Sequence, residues 1–183
     1  MKRIAPWLVA ADKQVDDETD VFGSAMENLT DLEDSKYAVK FAASEPSRMK
    51  TSARANLALG QVHFDNRRYA TALQLFNVAA QLDKEWAAPH NAMAVVHRKQ
   101  FHWAFALKAA EQALQLDDEN ADAHYNRACA LARLRRTKEA MEALQKAVEL
   151  DPDIVDGLSD EPDLKALASL PEFKKLMPPP AKP

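Results

Sequence analysis

The chain predicts an all-α fold built from antiparallel helix pairs, and three observations carry that prediction. Only 3 of its 183 residues are glycine, too few for the tight turns of a strand-rich fold. Alanine, leucine, glutamate, lysine and arginine dominate, and these residues favour helices. One phrase also returns at a fixed interval: AAQLDKE from Ala79, ALQLDDE from Ala113 and AVELDPD from Ala147, each 34 residues after the one before. A period in the range of about 20–50 residues points to a repeat architecture, in which each unit covers its neighbour's apolar face.

Three blocks align at that period, 53–86, 87–120 and 121–154. The eighth position reads Gly60, Ala94, Ala128, the twentieth Ala72, Ala106, Ala140, and the twenty-seventh Ala79, Ala113, Ala147. Helix axes approach to about 8 Å only where side chains are small, so these positions mark helix contacts. Larger apolar residues fill in around them: Leu59, Leu73 and Phe76, then Met93 and Leu107, then Leu131, Met141 and Leu144. The thirtieth and thirty-first positions read Leu-Asp in all three blocks, at Leu82-Asp83, Leu116-Asp117 and Leu150-Asp151.

This pattern resembles the tetratricopeptide repeat (TPR) family, whose 34-residue unit is two antiparallel helices with small residues at these places. The third block matches best, with Pro152 after its second helix. The resemblance covers residues 53–154 and implies an α-α superhelix, a solenoid of three repeats. Residues 1–52 are then expected to be an N-terminal extension and helical cap. Within them Met26, Leu29, Leu32, Tyr37 and Phe41 are apolar anchors. Ala38 and Ala42 fit relics of a degenerate fourth unit, with Ala38 at its twentieth position, but Met26 falls at the eighth, where a small residue belongs, so the segment reads as a cap. Residues 155–177 are expected to form C-terminal capping helices. There Pro162 and Pro171 suit first-turn positions, and Leu164, Leu167, Ala168, Leu170, Phe173 and Leu176 form an apolar stripe. The end, PPPAKP (178–183), reads as an unstructured tail.

Composition narrows the function. With 47% apolar and 28% charged residues and a net charge of −4, no global positive field recruits nucleic acid or anionic membrane. The short apolar run Ile4–Ala11 is interrupted by Pro6 and closed by Asp12. It is at the short limit for a signal sequence and far below membrane-spanning length, so docking on the folded body and a cytoplasmic location are expected. Cys129 is the only cysteine, which excludes an internal disulfide, a zinc cysteine cluster and a CxxC pair. His90 and His124 share the fourth position and His63 and His97 the eleventh, where the repeat wants a large packing residue. His102 stands apart in a loop beside Trp103. No HExxH motif, Walker loop, dinucleotide fingerprint or nucleophile elbow occurs. Neither a catalytic set, a metal site nor a cofactor is expected.

The resemblance implies that first helices line a concave groove. Its expected lining is Leu57, Gln61 and Phe64, then Asn91, Val95 and Arg98, then Tyr125, Asn126, Cys129 and Arg133. Such a mixed surface suits a peptide. Chaperone-type domains of the family clamp a C-terminal carboxylate with Lys, Asn and Arg. The matching places here hold Leu57, Gln61, Ala92, Asp122 and Asn126, so that clamp is absent. The turn inside each unit is basic (Arg67 and Arg68; Arg98 and Lys99; Arg133, Arg135, Arg136 and Lys138), whereas the turn between units is acidic. Stacking then predicts a basic and an acidic edge. The basic one is able to dock an acidic segment, such as this chain's own Asp16–Asp20.

The expected function is a non-catalytic protein–protein interaction scaffold or assembly factor that holds a protein or peptide partner in its groove. A secretion-type TPR chaperone is the nearest alternative. A nucleic-acid or acidic-segment binder working through the basic edge is the alternative from another class, opposed for nucleic acid by the negative net charge and the lack of interleaved aromatics. Exposed end helices suit a homodimer.

Overall fold

A computed structural model describes residues 20–30 and 35–177. The expectations for the run Ile4–Ala11, for Asp16 and Asp17, for Leu32 and for the tail 178–183 lie outside the described residues, as does the side chain of Leu29. Every described element is helical: α1 (Val21–Thr30), α2 (Ser35–Ser44), α3 (Pro46–Met49), α4 (Ala53–Asp65), α5 (Tyr69–Leu82), α6 (Ala87–Lys99), α7 (Trp103–Leu116), α8 (Ala121–Arg133), α9 (Thr137–Leu150) and α10 (Pro171–Leu176). Two 3-10 segments, Pro152–Asp160 and Pro162–Leu164, come between α9 and α10. Helices α4, α6 and α8 start 34 residues apart, and so do α5, α7 and α9. The fold is therefore all-α, of the antiparallel-pair superhelix class. The chain divides into two compact units, residues 1–96 and 97–183.

In the first unit, Met26, Ala38 and Ala42 pack with Ala55, Ala58, Leu59 and Val62. A second cluster joins Leu57, Ala72, Phe76, Ala79, Ala92 and Val96. Gly60 sits where the ring of Phe76 leaves no room, since a Cβ there would meet Phe76 Cδ1 at 2.6 Å. Tyr37, expected as an anchor, is instead 58% exposed. Its neighbour Ala38 points inward, and one step along a helix turns the next side chain by about 100°. Asp20 caps α1 by accepting from the Gly23 amide at 2.7 Å, and it also accepts from the Ser52 hydroxyl. The Asp16–Asp20 reading is corrected at this residue, which is held by Ser52 and not by a basic turn.

In the second unit one core joins α7, α8, α9 and the C-terminal segment, through Leu107, Leu131, Met141, Leu144, Leu158, Leu164, Leu167 and Phe173. Of the expected stripe, Leu164, Leu167 and Phe173 are buried, Leu170 and Leu176 half-buried and Ala168 exposed. The cap is thus mainly 3-10 turns, with one short helix at its end.

Throughout the repeats Ala72, Ala94, Ala106, Ala128, Ala140, Ala79, Ala113 and Ala147 are fully buried, as close helix contact requires. The repeated Asp has its own task. Asp83, Asp117 and Asp151 each end a second helix, and each accepts a hydrogen bond from the amide two residues on, in Glu85, Glu119 and Asp153, at 3.0–3.2 Å. This Asx turn breaks the helix and starts the next connection. The recurring Asp of the Leu-Asp pair therefore serves as turn chemistry.

Each first helix ends in the same way too. The amides of Arg68, His102 and Arg136 donate to the carbonyls of His63, His97 and Leu131, at 2.8, 2.9 and 2.9 Å. The residue before each, Arg67, Phe101 and Arg135, has φ of 58°, 61° and 62°. This is the left-handed close of a Schellman motif, a place glycine usually holds.

Candidate functional site

In the first unit the expected groove residues are largely interior. Leu57 belongs to the apolar cluster around Phe76, and Gln61 and Asn91 are buried. The Gln61 amide donates to Asp65 at 2.8 Å. Only Phe64 and Val95 are half-accessible, and Phe64 lies against Tyr69 with ring centroids 5.8 Å apart. As a solvent-facing lining, Leu57, Gln61 and Asn91 are corrected. Their helix face is turned toward packed side chains.

In the second unit the expected residues do come together, and they are already engaged. The segment Glu161-Pro162-Asp163-Leu164 lies on α8 and on the last turn of α6. Arg98 donates from Nε and Nη2 to Asp163 at 3.2 and 3.0 Å, pairs with Glu161 at 2.9 Å and donates from Nη1 to the Asn126 side-chain carbonyl at 2.7 Å. Tyr125 donates its hydroxyl to Glu161 at 2.8 Å, and its ring lies 5.2 Å from the Arg98 guanidinium carbon. Arg133 approaches Asp163 at 3.8 Å and stacks its guanidinium 4.7 Å from the Trp103 ring centre. The free carboxylate oxygen of Glu161 accepts from the Asp163 amide at 3.1 Å. Asn126 and Cys129 are buried, so these two are also corrected as exposed lining.

The electrostatics follow from this packing. Burial pushes the Glu161 carboxyl up, but the Arg98 guanidinium, the Tyr125 hydroxyl and the Asp163 amide together bring it below its ordinary 4.5. Burial raises the Tyr125 phenol, and Cys129 and Glu161 beside it add to the rise. Burial likewise pushes the Cys129 thiol up to about 12, against the pull of Arg98. That thiol is protonated at neutral pH, the opposite of an activated nucleophile. Cys129, Glu161 and Asp163 offer ligand atoms within 4.8 Å of one another. However, the guanidinium of Arg98 already provides their positive charge, and a metal cation there would repel it.

Burial lowers the pKa of His63, His90 and His97, with Arg68 adding to the shift at His63 and His102 at His97. They are neutral packing imidazoles at pH 7. The basic turns stand clear: Arg67, Arg68, Lys99, Arg135, Arg136 and Lys138 are all exposed. Arg136 pairs with Glu139 within its own turn.

Sequence reasoning missed the tail as the occupant of the α8 face. It also missed two ring pairs at the turn into α7, exposed Phe101 with half-buried Trp103 and exposed His102 with exposed Phe105. The signal for the first was an acid-Pro-acid-Leu segment downstream of an Arg- and Tyr-bearing helix. The signal for the second was three aromatic residues where the other blocks carry none or one.

Residues 121–154 and residues 41–85 each match a family model described as Tetratricopeptide repeat. No curated protein matches. Among solved structures the chain is similar to MamA, with a TM-score of 0.67 at 17% identity over 84% of this chain and 89% of that one. It is similar to YrrB, described as a TPR protein with an unusual peptide-binding site, with a TM-score of 0.64 at 17% identity over 85% and 79%. It is also similar to the first TPR of Spaghetti (RPAP3) bound to the HSP90 peptide SRMEEVD, with a TM-score of 0.56 at 18% identity over 69% and 91%. Among the described residues no helix is long and apolar enough to cross a membrane. The 34-residue helix period, the buried small positions and the two family matches together show that the chain carries tetratricopeptide repeats.

Proposed function

We propose that this chain is a non-catalytic scaffold that binds a segment of another protein, using the face of α8 and the end of α6 as one binding surface. The observation that carries the proposal is the grip on Glu161–Leu164. Two arginines, a tyrosine hydroxyl and an apolar seat for Leu164 hold a short acidic segment that has only a single 3-10 turn of its own. Charge-assisted bonds of this kind are the strong ones, and Arg matches carboxylates in two-point geometry. A solved structure of the same fold that holds the acidic peptide SRMEEVD lends support. No observation favours a secretion-type chaperone over a general scaffold.

A partner segment that uses this surface competes with the chain's own tail. Its apparent dissociation constant is the intrinsic one divided by the fraction of molecules with the surface open. The test uses a labelled peptide of residues 159–169 added to the full chain, read by fluorescence anisotropy. Glu161→Gln with Asp163→Asn weakens the resident segment, so this variant should bind the peptide at least about tenfold more tightly than wild type. Adding Tyr125→Phe and Arg133→Gln should remove that binding. Equal binding by wild type and variant, or none by either, contradicts the reading.

A further inference from the structure

The turn from α6 into α7 differs from its two counterparts in a way that folding does not require. At the left-handed position the other repeats carry Arg67 and Arg135, and this one carries Phe101. Two residues on, Tyr69 and Thr137 are matched by Trp103, and four residues on, Thr71 and Glu139 are matched by Phe105. Phe101 and Phe105 are 70% and 62% exposed, so neither contributes a buried face to the core. The rings are organised nonetheless. Phe101 meets the edge of Trp103 with centroids 5.7 Å apart, and Phe105 lies 5.5 Å from His97 and 6.2 Å from His102.

Two costs are accepted here without return inside the chain. A bulky L residue sits at φ 61°, where the side chain crowds the backbone, and the rings of Phe101 and Phe105 are left in water. The charged residues next to the rings in sequence or in contact with them are cations, and one of these, Arg133, also faces Asp163. Arg133 stacks on Trp103, Lys99 lies two residues before Phe101, and Leu134 is exposed between Arg133 and the exposed Arg135. Burial holds His97 below its ordinary pKa, so at neutral pH it belongs to the aromatic part.

We propose that Phe101, Trp103 and Phe105, with Leu134 and the cations Lys99, Arg133 and Arg135, form a second docking surface for a partner protein segment that carries apolar side chains flanked by carboxylates. Aromatic anchors with arginine beside them are the composition that concentrates binding energy at protein interfaces. The cationic rim selects acidic partners and speeds their encounter. This surface adjoins the face of α8 that holds Glu161–Leu164 and shares Arg133 with it, and Phe101 and Phe105 stay exposed while that tail is seated.

The test pans a random-peptide phage library on immobilised wild-type chain, with counter-selection on Phe101→Asn/Phe105→Ser. Asn tolerates the left-handed conformation, and both positions are exposed, so circular dichroism and the melting temperature should match wild type. The expected peptides combine two or more apolar residues with net negative charge. As synthetic probes they should bind the double variant at least about tenfold more weakly than wild type. They should bind Lys99→Glu/Arg135→Glu more weakly too, and lose affinity as salt rises. Their binding should not change in Tyr125→Phe, whose hydroxyl serves the contact with Glu161. Enriched peptides that bind the double variant equally, peptides of net positive charge, or no enrichment would each overturn the proposal. So would a wild-type dimer in light scattering that Phe101→Asn/Phe105→Ser makes monomeric, because it would give the surface to a second copy.

Discussion

Replacing Arg98 with methionine removes the centre of the second unit's ion network while keeping an unbranched stem. Arg98 makes four polar contacts, two with Asp163 and one each with Glu161 and Asn126, and its side chain is only 11% exposed. A charged hydrogen bond contributes about 1.5–3 kcal/mol net, but these four share one guanidinium and do not add. Removing one partner of a buried pair costs about 3–5 kcal/mol, because the opposite charge is left behind. The two carboxylates keep some access to water, with side chains 17% and 12% exposed, and Arg133 stays near Asp163. The lower end, about 3 kcal/mol, is therefore expected. For a chain of this size that corresponds to a drop of about 6–12 °C in melting temperature, followed by circular dichroism. Combining Arg98→Met with Glu161→Gln and Asp163→Asn should recover at least about 2 kcal/mol of coupling, since the stranded charges are gone. Additivity within about 0.5 kcal/mol, or a drop below about 2 °C, would refute the view that Arg98 holds the tail.

Gly60→Ala forces a methyl group against the ring of Phe76, which is itself buried, and should cost about 1–3 kcal/mol in urea unfolding. Glu161 has a folded pKa below its ordinary 4.5. Its contribution is therefore complete above that value and is lost as pH falls through the depressed folded value. Tail release should begin below pH 4.5, visible as a rise in proteolysis near Pro162, and Glu161→Gln should flatten that dependence. Cys129 is fully buried with its pKa near 12, so at pH 8 a disulfide reagent should react about three orders of magnitude more slowly than with the unfolded chain. Glu161→Gln/Asp163→Asn should speed the reaction, and a fast burst in the native wild type would contradict the burial.

The repeat was legible in the sequence because it rests on local demands that recur. Gly60, Ala94 and Ala128 are small because a helix passes there, and Asp83, Asp117 and Asp151 recur because each makes the same turn. The candidate site was only half legible. Arg98, Tyr125 and Arg133 were named from register, but register gives a helix face and not what lies on it. Asp163 reaches Arg98 across 65 residues of sequence, and no periodic pattern links the two. Leu57, Asn91 and Cys129 were misread for a related reason: a position that is open in an average repeat closes when neighbouring side chains or a tail cover it. Phe101 went unread because an aromatic residue in a helical repeat is normally core, and only its backbone angle and exposure separate it from that class.

The glycine-free helix closures have a consequence for how such a chain changes its partners. A closure that demanded glycine would fix the residue at each tip and leave it without a side chain. Here the left-handed slot is filled by arginine twice and phenylalanine once, with the same backbone hydrogen bonds around it. The scaffold therefore supplies the posture, and the side chain at the tip is left as an independent variable. One codon at position 67, 101 or 135 rewrites what a tip offers to solvent while the helices behind it stay as they are. Each of the three tips can therefore change its side chain apart from the packing that keeps the chain folded, among residues that tolerate a left-handed backbone.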